Sequence, residues 1–270
     1  MRVASFWIDR KMFALTQDLT FGATFRKKLM SSSVKTLPDP NSVAQSFAED
    51  FAELIQSTLA GQTKITVALS GGNTPRILYE LWASQYADKI DWNRVHFFWA
   101  DERCVPSDDA DSSYGVANEL FLSKVGIAPG NVHRGMGESD PDQERGRYEN
   151  EIYEHVEIDD NAVPQFDLII LGMGTDGHTA SIFPHQMQFM TSDRVCEVAI
   201  HPKTAQKRIT LTGTVLNGAK KVVFLVTGQE KATVLAQVIQ KSGDFEQLPA
   251  SRVSVADTMF YVDQAAAGSL

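Results

Sequence analysis

The chain has 270 residues and a formal net charge of −9, with 43% hydrophobic and 22% charged residues. Such a composition is typical of a globular protein with a buried core and excludes a disordered chain, while the acidic balance argues against a general nucleic-acid binder. It leaves room for a small anionic ligand, since a few placed cations can bind one. No apolar run approaches the ~18 residues of a membrane span. Cys104 and Cys196 show no C-x-x-C spacing, which argues against a zinc knuckle or a disulfide framework and favours the cytoplasm.

The head of the chain differs from the rest. Residues 1–33 mix aromatic residues with scattered charges, show no sustained period, and lack the continuous apolar core of a secretory signal. Met30 stands just before a modest strand pattern at Val34-Lys35-Thr36-Leu37. We therefore expect a dispensable N-terminal extension over residues 1–33 and a single domain over residues 34–270.

The remainder alternates apolar runs with helical patterns. Ser42 and Gln45 predict a capping box at the first helix. A short apolar run, a glycine-containing loop and a helical pattern then occur three times. The apolar runs are Ile65–Leu69, Leu168–Leu171 and Val222–Val226, and a fourth, Val95–Trp99, leads into Asp101-Glu102-Arg103 without a glycine. This alternation predicts an α/β fold, a three-layer αβα arrangement around a mostly parallel, Rossmann-like sheet whose ligands bind beyond the carboxyl ends of the strands.

The first glycine-containing loop, Ser70-Gly71-Gly72-Asn73-Thr74-Pro75, has the features of an anion site. Thr74 suits the N-cap and Pro75 the first position of the following helix. The glycines allow a ligand to approach the backbone, and free N–H groups at a helix start favour an anion. A tight strand-to-helix turn without any ligand would use the same residues.

Two cations can complete such a site. Lys231 stands in the first turn of the helix after the third loop, where a positive charge opposes the helix dipole. Either Glu230 compensates this charge, or Lys231 reaches over the loop to a bound phosphate. Arg208, on a neighbouring strand, can supply a second cation, although an isolated arginine is usually a surface residue.

The second loop, residues 172–177, matches the G-x-G-x-x-G pattern of dinucleotide sites. We do not expect a dinucleotide there, because Pro184 follows too soon for the crossover helix that this motif requires. The loop instead places Asp176 beside His178. A neutral histidine can take a proton from water while a carboxylate fixes its tautomer, so His178 is the candidate general base.

The other histidines give no such signal. His96 and His133 have no partner in sequence, and His155 lies in an acidic helical stretch. H-E-x-x-H and other regular metal-ligand spacings are missing from the sequence, so we expect that no metal is required. From the residues alone, the protein is an α/β enzyme with a phosphate-sized anion pocket and a histidine base.

Taken together, these stretches resemble the 6-phosphogluconolactonase family. The likeness covers roughly residues 34–267, and its segments keep the family's order. They are VALSGGNTP (67–75), FFWADERCVP (97–106), DSSYG (111–115), LIILGMGTDGHTASIFP (168–184), KRITLT (207–212) and VTGQEKA (226–232).

The resemblance implies hydrolysis of the 1,5-lactone of 6-phosphogluconate in the oxidative pentose phosphate pathway, without cofactor or metal. His178 would activate water with the support of Asp176. The residues implied at the substrate and its phosphate are Gly71, Gly72, Asn73, Asp101, Arg103, Arg208 and Lys231. Arg103 would serve either the phosphate or the lactone carbonyl oxygen. The implied partner is a sugar phosphate lactone, with no nucleic acid or membrane, and the chain would be a monomer or a weak homo-oligomer.

Two alternatives accompany this interpretation. Glucosamine-6-phosphate deaminases and isomerases are similar in Asp101-Glu102, the Asp-Gly-His loop and the lysine. They carry a glutamate shortly after the histidine, in an Asn-Glu-Pro sequence, where this chain has Ile182-Phe183-Pro184. The second alternative is a sugar-phosphate-binding module without catalysis, against which the intact Asp176 and His178 argue.

Overall fold

The fold was obtained as a computed structural model that describes residues 33–270. Expectations for residues 1–32 lie outside the described residues. The strands are β1 (Ser33–Leu37), β2 (Ile65–Leu69), β3 (Val95–Trp99), β4 (Asp101–Arg103), β5 (Leu168–Leu171), β6 (Cys196–Ile200), β7 (Lys207–Leu211), β8 (Val222–Val226) and β9 (Thr258–Asp263). The α-helices are α1 (Pro40–Leu59), α2 (Asn73–Gln85), α3 (Ser113–Ala117), α4 (Pro141–His155), α5 (Gly213–Gly218) and α6 (Ala232–Gln240).

A six-stranded sheet with order β1-β9-β8-β5-β2-β3 forms the centre, and all of its strand pairs are parallel. β2, β5 and β8 are buried along their whole length, as the continuous apolar runs predict. β3 and β5 pair with opposite edges of β2. The carboxyl ends of β2 and β5 therefore form a topological switch point, where such sheets bind their ligands.

Helices cover both faces of this sheet. On one face α1 and α2 pack their apolar residues, among them Phe51 and Trp82, against alternate positions of the strands. On the other face α4, α5 and α6 pack against the intervening positions. The α/β class and the three-layer arrangement expected from the sequence are confirmed.

The start of α1 differs from the expected capping box. Asp39 is the N-cap, and its carboxylate accepts a hydrogen bond of 2.8 Å from the N–H of Ser42. Pro40 occupies the first helical position, where its fixed φ is already helical and its missing N–H is not needed. The helix therefore begins earlier than the Ser42–Gln45 pair predicts.

A second, antiparallel sheet of order β4-β7-β6 stands beside the parallel one. Ala100 joins β3 to β4, and its backbone bonds to both sheets, since its N–H donates to Leu69 and its C=O accepts from Leu211. The chain therefore passes from one sheet to the other at the carboxyl end of β3. Asp101, Glu102 and Arg103 thereby reach the same edge as the glycine-containing loops.

Among the helices of the described residues, none combines the length and the apolar character needed to cross a bilayer.

A chain that starts at Met30 is expected to fold with an unchanged melting temperature. β1 begins at Ser33 and pairs with β9 along all five of its residues, so this truncation removes none of those pairs. Thermal unfolding followed by circular dichroism measures the effect.

The matched control starts at Pro38 and so deletes β1. It should melt several degrees lower, because β9 then becomes an unpaired edge. A similar loss in the chain that starts at Met30 would show that residues 1–29 contribute to the stability of the domain.

Candidate active site

A cleft of about 360 Å³ opens at the carboxyl ends of the parallel strands. The loops after β2, β5 and β8 form three of its sides, and β4 and β7 contribute side chains from the second sheet. Eight of the nine site residues predicted from the sequence line it: Gly71, Gly72, Asn73, Asp101, Arg103, His178, Arg208 and Lys231. The ninth, Asp176, contacts the ring of His178.

The loop after β2 turns into α2 two residues earlier in the chain than expected from Thr74 and Pro75. Gly72 is the N-cap, with a φ of +116° that favours glycine, and α2 begins at Asn73. Thr74 is thereby free to make a side-chain hydrogen bond of 2.8 Å to Thr227, which ties this loop to the loop after β8. The free N–H groups at the start of α2 thus lie at the cleft.

The loop after β5 contains turns over residues 172–183 and no α-helix. Between β5 and β6 the helical element is the 3-10 stretch Pro184–Thr191, so the helical pattern expected after this strand is wrong. The loop closes on itself, because the N–H of Gly174 donates to the carbonyl of His178 and Thr179 Oγ1 donates to the carbonyl of Gly172. The G-x-G-x-x-G segment therefore leads into a series of turns and not into a crossover helix.

Asp176 and His178 form a directed pair in this loop. Asp176 Oδ1 lies 2.6 Å from His178 Nδ1 and also accepts the backbone N–H of His178. Burial opposes ionisation of Asp176, but the hydrogen bonds and charge of His178 outweigh it and lower the pKa of Asp176 to about 2. An ionised carboxylate only accepts hydrogen bonds, so Nδ1 carries the proton of this bond, and in the neutral imidazole the lone pair is then on Nε2.

The position of the imidazole is fixed on two sides. A Cβ on Gly174 would lie 2.1 Å from His178 Nδ1, so only glycine admits the ring there. On another side the ring packs against fully buried Phe183, with 4.7 Å between ring centroids. The histidine is held in one orientation before any ligand arrives, which is the condition for an efficient base.

Two arginines face each other across β4 and β7, where Arg103 pairs in register with Arg208. Asp101 Oδ2 lies 4.0 Å from Arg103 Nε and 3.9 Å from Arg208 Nη1, and it also accepts a 2.7 Å hydrogen bond from Ser181. Burial lowers the pKa of Arg208, and Asp101 opposes this shift while Arg103 adds to it. One carboxylate thus neutralises one of two guanidinium charges, and the remaining positive charge suits an anion.

Lys231 completes the cationic lining. It lies in the 3-10 turn Gln229–Lys231 and immediately precedes α6, rather than in the first turn of that helix. Within residues 33–270 it forms no ion pair within 4.0 Å, and Glu230 lines the same cleft without pairing with it. Its ammonium group is therefore available to a ligand in the cleft.

Glu102 was not singled out from the sequence, although it organises the rim of the cleft. Its carboxylate is only 3% exposed and accepts hydrogen bonds from the backbone N–H groups of Arg103, Ser113 and Tyr114 and from the hydroxyl of Ser112. Burial raises its pKa, and the backbone donors oppose the rise. In the sequence, the segment DSSYG (111–115) follows soon after Asp101-Glu102-Arg103. No local pattern, however, indicates that Glu102 accepts hydrogen bonds from this segment.

Comparisons with known proteins show the family to which the chain is similar. Residues 38–261 match the family model described as glucosamine-6-phosphate isomerases/6-phosphogluconolactonase. A 6-phosphogluconolactonase of Treponema pallidum is 42% identical over 195 residues, which cover 72% of this chain and 80% of that protein. The crystal structure of 6-phosphogluconolactonase from Thermotoga maritima is 33% identical, with a TM-score of 0.76 over 87% of this chain and 100% of that one. A monomeric glucosamine-6-phosphate deaminase has a TM-score of 0.72 at 20% identity, over 88% of this chain and 100% of that one, which shows the fold alone.

The substitution Glu102→Gln is expected to lower the stability of the protein. In the wild type, both carboxylate oxygens accept hydrogen bonds from backbone N–H groups. In the variant an amide N–H₂ group replaces one of these oxygens and cannot accept, so buried N–H groups lose their partner. The free energy of unfolding should fall by about 1–3 kcal/mol. For a chain of this size, the melting temperature should fall by roughly 2–10 °C in thermal unfolding.

Glu53→Gln is the matched control, because Glu53 is exposed on α1 and undergoes the same chemical change. Its melting temperature should stay within about 1 °C of the wild type. Equal effects of the two substitutions would contradict a special role for the Glu102 carboxylate.

Proposed function

The chain belongs to the glucosamine-6-phosphate isomerase/6-phosphogluconolactonase family, and we propose that it hydrolyses 6-phospho-D-glucono-1,5-lactone to 6-phosphogluconate. This is the hydrolytic reaction of the oxidative pentose phosphate pathway. The observation that carries the proposal is the Asp176–His178 pair, which borders the same cleft as Arg103, Arg208 and Lys231. The cleft thus combines a base for water with a site for a phosphate.

The phosphate binds between Arg103, Arg208 and Lys231. The two guanidinium groups share only Asp101 as their acidic partner in the described chain, so a phosphate supplies the missing negative charge. Because Arg103 and Arg208 are neighbours in register, we assign both to the phosphate rather than placing Arg103 at the lactone carbonyl. The backbone at Gly71, Gly72 and Asn73 offers N–H donors to the substrate oxygens.

The reaction needs one base and no covalent intermediate, because a lactone is already an activated ester. Nε2 of His178 removes a proton from water while the water oxygen bonds to the lactone carbonyl carbon. The tetrahedral intermediate then collapses, the bond from this carbon to the ring oxygen breaks, and the imidazolium returns the proton to that oxygen. Asp176 holds the ring and stabilises the imidazolium between these steps.

The site favours the lactonase over the deaminase alternative. In the deaminase pattern a glutamate stands shortly after the histidine, and in this chain Phe183 occupies that position. Phe183 is fully buried, and its ring packs on His178 and lies 5.8 Å from the guanidinium carbon of Arg208. An apolar ring there supports the histidine but cannot transfer a proton, as ring opening of an amino sugar would require.

The remaining expectations are part of the proposal. The chain acts in the cytoplasm as a monomer or a weak homo-oligomer, and its partner is the sugar phosphate lactone rather than a nucleic acid. The sugar-phosphate-binding module without catalysis stays the second alternative, which the following assay addresses directly.

The purified protein should hydrolyse 6-phosphogluconolactone well above the spontaneous rate, and His178→Ala should lose most of this activity. General-base help is worth ~10²–10⁴ in rate, so kcat should fall by about that factor. Binding of 6-phosphogluconate should persist, because the phosphate contacts lie elsewhere in the cleft. A pH-stat assay with subtraction of the spontaneous rate gives kcat, and calorimetry gives the affinity.

His185→Ala is the matched control, since His185 is exposed and does not line the cleft. It should keep the wild-type kcat. Wild-type protein that is inactive on the lactone but releases ammonia from glucosamine 6-phosphate would overturn the lactonase assignment. Binding without either activity would favour the binding module without catalysis.

Arg208→Ala and Lys231→Ala should each weaken binding of phosphorylated ligands. A hydrogen bond to a charged group is worth roughly 1.5–3 kcal/mol, so the affinity for 6-phosphogluconate should fall at least about tenfold. Hydrolysis of the unphosphorylated gluconolactone should change little in kcat/KM. Paired assays with the two lactones separate phosphate binding from an effect on the reaction itself.

Lys89→Ala provides the corresponding control, because Lys89 is exposed and distant from the lining of the cleft. It should leave both substrates unaffected. If Arg208→Ala and Lys231→Ala reduced the hydrolysis of both lactones equally, the cations would serve the fold or the reacting centre rather than the phosphate.

A further inference from the structure

Three histidines that show no relationship in the sequence come together away from the cleft. They are His96 on β3, His133 in the loop before α4, and His155 at the end of α4. Each offers one ring nitrogen, and these three nitrogens all lie within 4.8 Å of one another. His96 Nδ1 and His133 Nε2 are 2.9 Å apart.

A carboxylate orients the central ring. His133 Nδ1 lies 2.7 Å from Glu151 Oε1, and the ring is only 4% exposed and stacked on Phe98. Because a carboxylate can only accept a hydrogen bond, the Nδ1–H group of His133 donates to Glu151. In the neutral ring the lone pair on Nε2 then points to His96. A carboxylate that fixes the unbound nitrogen of a histidine is the usual support of a metal-ligating imidazole.

The cluster lies at the end of the sheet opposite the cleft. His96 is the second residue of β3, whereas the cleft is built on the carboxyl ends of the strands. Lys64, which directly precedes β2, donates to the backbone carbonyl of His155. The three histidines therefore have no part in the proposed hydrolysis.

We propose that His96, His133 and His155 form a binding site for one divalent transition-metal ion of the zinc type, which clamps α4 to the edge strand β3. Three imidazole nitrogens leave a fourth position for water, a donor set that such ions prefer. Glu151 does not bind the ion in this site but holds the ring of His133 in the orientation that ligation needs. This site is independent of the proposed reaction.

The three nitrogens lie within 4.8 Å of one another, so an ion can bind after the rings adjust by up to roughly 1.4 Å. Two nitrogens bound tetrahedrally at 2.1 Å from zinc are ~3.4 Å apart, so the rings of His96 and His133 need to separate by about half an ångström. His96 then holds its proton on Nε2 and presents Nδ1 to the ion.

Glu151 is the acidic side chain at the cluster. Its carboxylate lies 2.7 Å from His133 Nδ1 and 3.6 Å from His155 Nε2, and it also accepts a hydrogen bond from Arg147. The side chain of His155 is 29% exposed, which gives an ion access from solvent. The ion thus reaches the cluster without opening the core.

The test is a titration of the metal-free protein with Zn²⁺ against a chromophoric chelator, repeated with Co²⁺ for its visible spectrum. The wild type should bind one ion per chain, and its Co²⁺ form should show the intense visible absorption of a tetrahedral site. With free Zn²⁺ at a hundred times its Kd, the melting temperature should rise by roughly 5 °C. His155→Ala, a substitution at a partly exposed ring, should weaken binding at least about tenfold and so reduce the shift in melting temperature by about half or more. Glu151→Gln should weaken binding about 10–100-fold while the three ligands remain.

The controls separate this site from histidines at the cleft. His185→Ala and His178→Ala should each keep the ion, and His155→Ala should keep the lactonase kcat/KM. If His178→Ala removed the ion while His155→Ala kept it, or if the wild type bound no stoichiometric ion, the proposal would be wrong. His96→Gln serves as a second ligand variant, and unchanged affinity in a folded His96→Gln protein would equally overturn it.

Discussion

Two buried carboxylates on a three-residue strand hold the active cleft together. Asp101 and Glu102 are neighbours on β4 and are 5% and 3% exposed. Because successive side chains of a strand point to opposite faces, the two serve different segments. Asp101 contacts Arg103, Arg208 and Ser181, whereas Glu102 accepts the backbone donors at the start of α3. A buried carboxylate is costly unless such partners are present, so these segments and the strand stabilise one another.

The cleft illustrates that net charge and local charge are separate properties. The chain carries −9 overall, yet the cleft contains two arginines and a lysine with Asp101 as the acid between the arginines. The overall charge limits long-range attraction of an anion, so binding depends on close contacts within the cleft. Such contacts are strong because burial weakens solvent screening around Arg208, whose pKa burial lowers. Under the proposed function, recognition of the phosphate depends on these few side chains.

The two ends of the parallel sheet have different roles. The carboxyl ends of the strands hold the glycine-containing loops and His178, where short loops can place backbone donors and a base beside a ligand. Near the amino end of β3, the histidine cluster joins β3, the loop before α4 and the last turn of α4. β3 is the edge strand of its sheet, and a metal bound there would protect an edge that has no neighbouring strand. The cleft and the histidine cluster therefore lie at opposite ends of the same sheet.

The sequence by itself determined the features that depend on residues close together in the chain. The bounds of β2, β5 and β8 agree with their apolar runs, and the pairing of Asp176 with His178 spans only two residues. Only the tertiary structure decided the antiparallel β4-β7-β6 sheet, the register of Arg103 with Arg208, and the meeting of His96, His133 and His155. Even the starts of α1 and α2 differ from the expected caps, because Asp39 and Gly72 satisfy the backbone geometry better. The physical reason is that the spacing of apolar side chains indicates which face of a helix or strand is buried. Which strand or helix packs against that face depends on the packing of the whole chain.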